Sequence, residues 1–119
     1  DIMVNNKSMC NTWTSGYPNT IGFQDGFKYT SPISYFEANS LGIFDMAGNV
    51  WEWCYNWHLP YEGNSQIFPT ELEGKAQRGG SFLCNPNYCY GFRLSARSAT
   101  SPESSLFHVG FRCVKNITN

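Results

Sequence analysis

Apolar residues along this chain come in short bursts. They lack the i, i+3, i+4, i+7 recurrence over ten or more positions that a long amphipathic helix needs. Three bursts read as short strands: residues 50–54 (Val50-Trp51-Glu52-Trp53-Cys54), 80–84 (Gly80-Ser81-Phe82-Leu83-Cys84) and 108–114, from His108 to Val114. Turn-rich stretches separate them, notably 61–65 and 100–105, and Phe68-Pro69 opens a further connector before Arg78. No internal repeat, low-complexity tract or long linker interrupts the pattern. It predicts a mixed α+β class: loop-rich, with short antiparallel strands and little regular secondary structure.

Length adds one constraint, since 119 residues suffice for one modest core and not for two domains. An aromatic content of 17% with 11 glycines fits a body of irregular loops packed on rings. The formal net charge of −1 gives no electrostatic reason to expect nucleic acid or an anionic membrane as a partner. No apolar run approaches the ~20 residues of a membrane span, and no signal-peptide pattern is present. The chain begins at Asp1 and has five cysteines, an odd number that intramolecular pairing cannot consume.

The densest candidate chemistry lies at Cys84 and Cys89, separated by Asn85-Pro86-Asn87-Tyr88. Five extended residue steps span roughly 17 Å, whereas sulfurs sharing a metal or a bond need Cα atoms within about 7 Å. Asn-Pro-Asn supplies the reversal: Pro86 pre-sets φ in a tight turn and Asn87 tolerates the bend after it. Two thiolates without His or carboxylate partners suit a soft, low-coordinate ion such as Cu(I). Structural zinc wants a second close-spaced pair, and Cys10, Cys54 and Cys113 are scattered. A local disulfide, or two ordinary buried thiols, satisfies the same spacing.

Three blocks in order set this pair in context: Leu41-Gly42-Ile43-Phe44-Asp45-Met46-Ala47-Gly48-Asn49-Val50-Trp51-Glu52-Trp53, Arg78-Gly79-Gly80-Ser81-Phe82, and Val109-Gly110-Phe111-Arg112-Cys113. With Tyr88, Arg93, Ala96-Arg97 and Ser101-Pro102-Glu103-Ser104-Ser105 they resemble the formylglycine-generating enzyme family, the sulfatase-modifying factors. The likeness runs from about Asn11 to Cys113 and places residues 1–119 as the C-terminal, active-site-bearing portion of one such domain. It implies a C-type-lectin-like core. It also implies a copper-dependent oxidase that uses molecular oxygen to convert the cysteine of an unfolded sulfatase's Cys-x-Pro-x-Arg motif to Cα-formylglycine.

On matching positions the resemblance implies Cys84 and Cys89 as Cu(I) ligands, Ser81 as a hydrogen-bond donor near the oxygen position, and Trp51 as an aromatic wall. It further implies two structural calcium sites, one on Asp45, Gly48, Val50 and Glu52, the other on Asn11, Thr12, Asp25 and Phe27. Each has a plainer reading beside it: turn capping for Asp45 and Asp25, a backbone-bonded hydroxyl for Ser81, core packing for Trp51. His58 reads as a surface or loop histidine, and His108 sits where the family often places Asn near its peptide groove.

Departures shape the rest of the reading. No His follows Cys84, which bears on substrate contacts rather than on the copper ligands. Cys113 matches a structural half-cystine of the family, yet Leu94 stands where another would be. This favours a bacterial cytoplasm or periplasm over a eukaryotic secretory pathway. Asn6-Lys7-Ser8 and Asn116-Ile117-Thr118 satisfy the N-glycosylation pattern. Without the upstream part of the family's domain, the chain is expected to expose apolar surface near Trp51–Trp53 and Phe111 and to self-associate. The reading of a different class is a non-catalytic lectin-like binding module with Cys84 and Cys89 as a structural disulfide.

Overall fold

A computed structural model describes residues 2–14, 16, 24–59 and 74–116. The expected turn at 61–65, the Phe68-Pro69 connector and the end of the second glycosylation pattern lie outside the described residues. Six short strands form: β1 (Met3–Val4), β2 (Lys7–Ser8), β3 (Trp51–Trp57), β4 (Lys75–Arg78), β5 (Ser98–Thr100) and β6 (Val109–Gly110). No helix occurs among the described residues, so the α part of the α+β expectation is not met there. The loop-rich, short-strand part is what the chain builds.

β1 and β2 make a separate hairpin in which Asn5 and Asn6 take positive φ, 49° and 62°. Two consecutive left-handed residues match the twist of a two-residue hairpin, and asparagine tolerates that conformation. The main sheet runs β5-β4-β3-β6, antiparallel except for β6, which lies parallel to β3 with Trp51 opposite Val109. The uniformly antiparallel expectation is corrected by that last pair.

β3 forms where its aromatic and β-branched burst predicts, because such side chains fit a pleated, half-buried surface. The strand expected at 80–84 does not form. Gly79 and Gly80 take φ of 91° and 72°, and two left-handed residues in succession end β4 and turn the chain. The strand has moved upstream to Lys75–Arg78, where Ala76 and Gln77 are buried.

With so short a ladder, side-chain bonds carry much of the connection between segments, and Asn49 is their node. Its N–H donates to the Asn11 carbonyl at 2.8 Å, and its own carbonyl accepts from Phe82 at 2.9 Å. Its Oδ1 accepts from the Ser31 amide at 2.9 Å and from Asn11 Nδ2 at 3.2 Å, while Nδ2 donates to Ser31 O at 3.3 Å. Its φ of 62° also suits asparagine. Asn49→Ala is expected to strand buried partners and cost about 3 kcal/mol, read from the urea midpoint at unchanged slope. Around this node Phe82 packs between Tyr29 and Phe107, at 6.1 and 5.8 Å between ring centres.

Candidate functional site

The turn after Gly80 is built from side chain to backbone. Ser81 O accepts the Cys84 amide at 2.9 Å, and Ser81 Oγ accepts the Leu83 amide at 3.3 Å. Asn85 then directs the reversal: its Oδ1 accepts the Asn87 amide at 2.9 Å, and its carbonyl accepts the amides of Tyr88 and Cys89 at 3.0 and 2.8 Å. Two bonds clamp the loop to the N-terminal segment, Trp13 N–H to Cys84 O at 3.0 Å and Asn85 Nδ2 to Trp13 O at 2.8 Å. The reversal brings the Cys84 and Cys89 thiols within hydrogen-bonding reach.

Both are free thiols, as are Cys10, Cys54 and Cys113. No disulfide joins the pair in this structure. Cys84 is only 2% exposed, Cys89 is half-buried, and the Ser81 amide points at Cys84 Sγ from 3.5 Å. Gly80 and Gly91 pack back to back behind the sulfur. A methyl on Gly80 would lie 3.3 Å from Cys84 Sγ, and one on Gly91 would lie 2.5 Å from the six-membered ring of Trp51. Trp51 thus backs the thiol loop through two bare backbones. Four sequence-derived residues, Ser81, Cys84, Cys89 and Trp51, come together here.

Burial, then the neighbouring Cys89 thiol, pushes Cys84 up to about 12; burial pushes Cys10 up to about 11. Both thiols stay protonated at neutral pH, so loading a metal on Cys84 must displace a proton. The same shifts set an alkaline limit on stability. Below the ordinary thiol value of 9.0 both states hold these protons; above it the unfolded chain releases them first. Melting temperature is expected to fall from pH 9 upward through 11 to 12, and Cys10→Ala should flatten that fall.

The two oxygen-rich groups differ from each other. In the first, both Asp25 carboxylate oxygens accept backbone amides, from Thr12 at 2.9 Å and Phe27 at 3.0 Å. Asn11 is 1% exposed, and its Oδ1 is buried without a hydrogen-bond partner. A buried, unpaired amide oxygen is a group that a hard cation can satisfy. In the second group, Asp45, Gly48, Val50 and Glu52 line one recess of 430 Å³ together with Arg112. There Arg112 Nε donates to Glu52 Oε2 at 2.6 Å and Nη2 donates to Oε1, while Nη1 and Nη2 reach the carbonyls of Phe44 and Asp45, each at 3.1 Å. The Asp45 carboxylate accepts the Ser34 amide at 2.7 Å. Hydrogen bonding to Glu52 raises the Arg112 pKa further.

Sequence reasoning did not single out Asn49 or Arg112; the only signal was their place inside quoted motifs. Of the histidines, His58 caps the end of β3, its amide donating to Gly74 O at 3.0 Å. The His108 carbonyl accepts Trp51 N–H at 2.8 Å, and its Nδ1 is buried without a partner. Among the described residues no three His, Cys, Asp or Glu side chains converge on one metal position.

Residues 1–117 match the family described as Sulfatase-modifying factor enzyme 1-like domain. A relative from Thermomonospora curvata named Formylglycine-generating enzyme is 36% identical over 95% of this chain and 40% of its own length. A Bos taurus relative, Inactive C-alpha-formylglycine-generating enzyme 2, is 29% identical over 87% of this chain and 32% of its own. Among solved structures, Treponema denticola variable protein 1 superposes with a TM-score of 0.53 at 30% identity, over 71% of this chain and 31% of that one. The chain therefore spans 40% or less of the length of these relatives.

Proposed function

Because the chain belongs to the sulfatase-modifying factor enzyme 1-like family, we propose that it bears the metal-holding loop of a formylglycine-generating oxidase acting on a Cys-x-Pro-x-Arg sulfatase segment. The observation that carries this reading is the meeting of two free thiols, one fully buried, across the Asn85 turn. Cys84 and Cys89 would hold Cu(I), whose softness suits two thiolates and whose one-electron chemistry with molecular oxygen would drive oxidation of the substrate cysteine. The protein residues do the rest. Trp51, with Gly80 and Gly91, keeps water from the buried side of the pair. Ser81 Oγ accepts from Leu83, which leaves its own hydrogen to donate toward the site.

Calcium on Asn11, Thr12, Asp25 and Phe27 would brace this loop from behind. Asn11 and Thr12 lead directly into Trp13, which makes two bonds to Cys84 and Asn85. We read the scaffold as C-type-lectin-like on its small mixed sheet and long, side-chain-tied loops. Of the surface expected to drive self-association, Phe111 is 76% exposed, whereas Trp51 and Trp53 are half-buried, so Phe111 would carry that contact.

A second reading, a non-catalytic binding module, draws on the relative named as inactive. The thiol pair discriminates, because a binding module has no use for it. Anaerobic Cu(I) titration against a competing chelator, followed by mass spectrometry of a Cys-x-Pro-x-Arg peptide after oxygen is admitted, tests the oxidase reading. One copper per chain and an 18 Da loss, ~18 from the replacement of a thiol-bearing CH₂SH by CHO, support it. Neither copper binding nor peptide conversion would leave the binding-module reading.

A further inference from the structure

Resting on the copper part of that reading, we propose that Asn85 is the positioning residue of the thiol pair: its side-chain amide stands in for the backbone amide that Pro86 lacks, and so fixes where Cys84 stands relative to Cys89. Trp13 lies against the first arm of the loop, its N–H donating to Cys84 O at 3.0 Å. In a parallel bridge a segment held that way receives a second bond, from the amide two residues beyond the acceptor to its own carbonyl. Here that position is Pro86, which has no N–H to give. The Trp13 carbonyl is satisfied all the same, because Asn85 Nδ2 donates to it at 2.8 Å. Proline sets the turn and takes a donor away; the asparagine before it restores the donor from a side chain.

The other half of the same side chain acts on the second arm. Asn85 Oδ1 accepts the Asn87 amide at 2.9 Å, which closes the turn around Pro86, and the Asn85 carbonyl then accepts the Cys89 amide at 2.8 Å. One residue therefore ties the arm of Cys84 to residue 13 and the backbone of Cys89 to itself. It is 3% exposed, with both polar atoms of its side chain bonded. A buried amide that commits its donor and its acceptor to opposite arms of a loop holds the two arms in one arrangement. Two ligands of one ion work only within about 0.5 Å of their productive placement. Asn85 reaches the sulfurs through backbone alone, which makes it a positioning residue and not a ligand.

Cu(I) affinity of the whole chain, measured anaerobically against a competing chelator, tests this, with circular dichroism to verify the fold of each variant. Asn85→Ser keeps an oxygen to accept the Asn87 amide but is too short to reach Trp13 O, and its affinity is expected to fall about 10–100-fold. Asn85→Asp, equal in shape, should fall as far, because a carboxylate has no hydrogen to donate; it carries the test if Asn85→Ser does not fold. Adding Pro86→Ala to Asn85→Ser returns an amide at residue 86 and should recover part of the loss. A folded single variant with unmodified affinity would overturn the proposal, as would a double variant no better than Asn85→Ser. A copper-free measurement separates this role from the copper reading. In a fixed glutathione mixture, the Cys84–Cys89 disulfide forms as one oxidised glutathione becomes two reduced molecules, and its fraction reports how readily the sulfurs meet. Asn85→Ser should shift that equilibrium toward the dithiol by about fivefold, the weight of one hydrogen bond. An unmodified chain that binds no Cu(I) but shows this shift would sink the copper reading and leave the role of Asn85 standing; an unshifted equilibrium overturns that role.

Discussion

Cys84→Ser and Cys89→Ser are each expected to end peptide oxidation, with rates down by more than the ~10–100-fold that loss of an outer-shell contact costs at a metal site. A serine hydroxyl is nearly the size of a thiol but is a hard donor that does not ionise near neutral pH, so it cannot replace a thiolate on Cu(I). The two variants should differ in stability. Cys84 is buried against the Ser81 amide and the Gly80–Gly91 contact, so a polar hydroxyl there lowers the melting temperature. Cys89 is half-buried and should tolerate the change. Peptide mass spectrometry and a melting curve on each variant separate lost chemistry from lost fold. Substantial oxidation by a folded Cys89→Ser would remove copper ligation from that residue.

Gly48→Ala carries the largest expected loss of stability. Gly48 has a φ of 73°, and a methyl on its Cα would lie 2.2 Å from the Asn11 carbonyl oxygen and 2.9 Å from its carbon. Both obstacles are backbone, so no side chain can swing aside. The left-handed conformation costs alanine about 1 kcal/mol. Pushing Asn11 away also breaks its bond from Asn49 N–H and shifts the segment that leads to Asn11 Oδ1 and Trp13. About 4 kcal/mol in all is expected, a large share of a typical folding free energy. A urea midpoint within error of the unmodified protein would show that the 48–49 turn and Asn11 are not in contact.

What the chain revealed in advance follows from how local each feature is. β3 was legible because Val50-Trp51-Glu52-Trp53 carries strand propensity in its own side chains. The thiol turn was legible because Asn85 and Pro86 encode a reversal without help from elsewhere. β4 was not: Lys75-Ala76-Gln77-Arg78 has no apolar alternation, and Ala76 and Gln77 are buried only because β3 and β5 flank them. Apolar Phe82 and Leu83 suggest a strand at 80–84, but the tandem left-handed glycines before them turn the chain out of the sheet. Arg112 looked like part of a motif; its meaning depends on Glu52, sixty positions away. The same holds for Asn49, whose partners come from three distant segments.

The order in which β3 acquires its neighbours bears on synthesis and handling of the chain. β4 and β5 complete one side of the sheet as soon as residues 98–100 are made, but the other edge of β3 stays open. Trp51 N–H must wait for the carbonyl of His108, and the Trp51–Val109 pairing closes across roughly half the chain; such distant closures are the slow steps of folding. During that interval an aromatic-rich strand presents unpaired amides and carbonyls, the template on which strands of other molecules add. Aggregation during refolding from denaturant is therefore expected to depend on how soon β6, Val109 and Gly110, covers that edge.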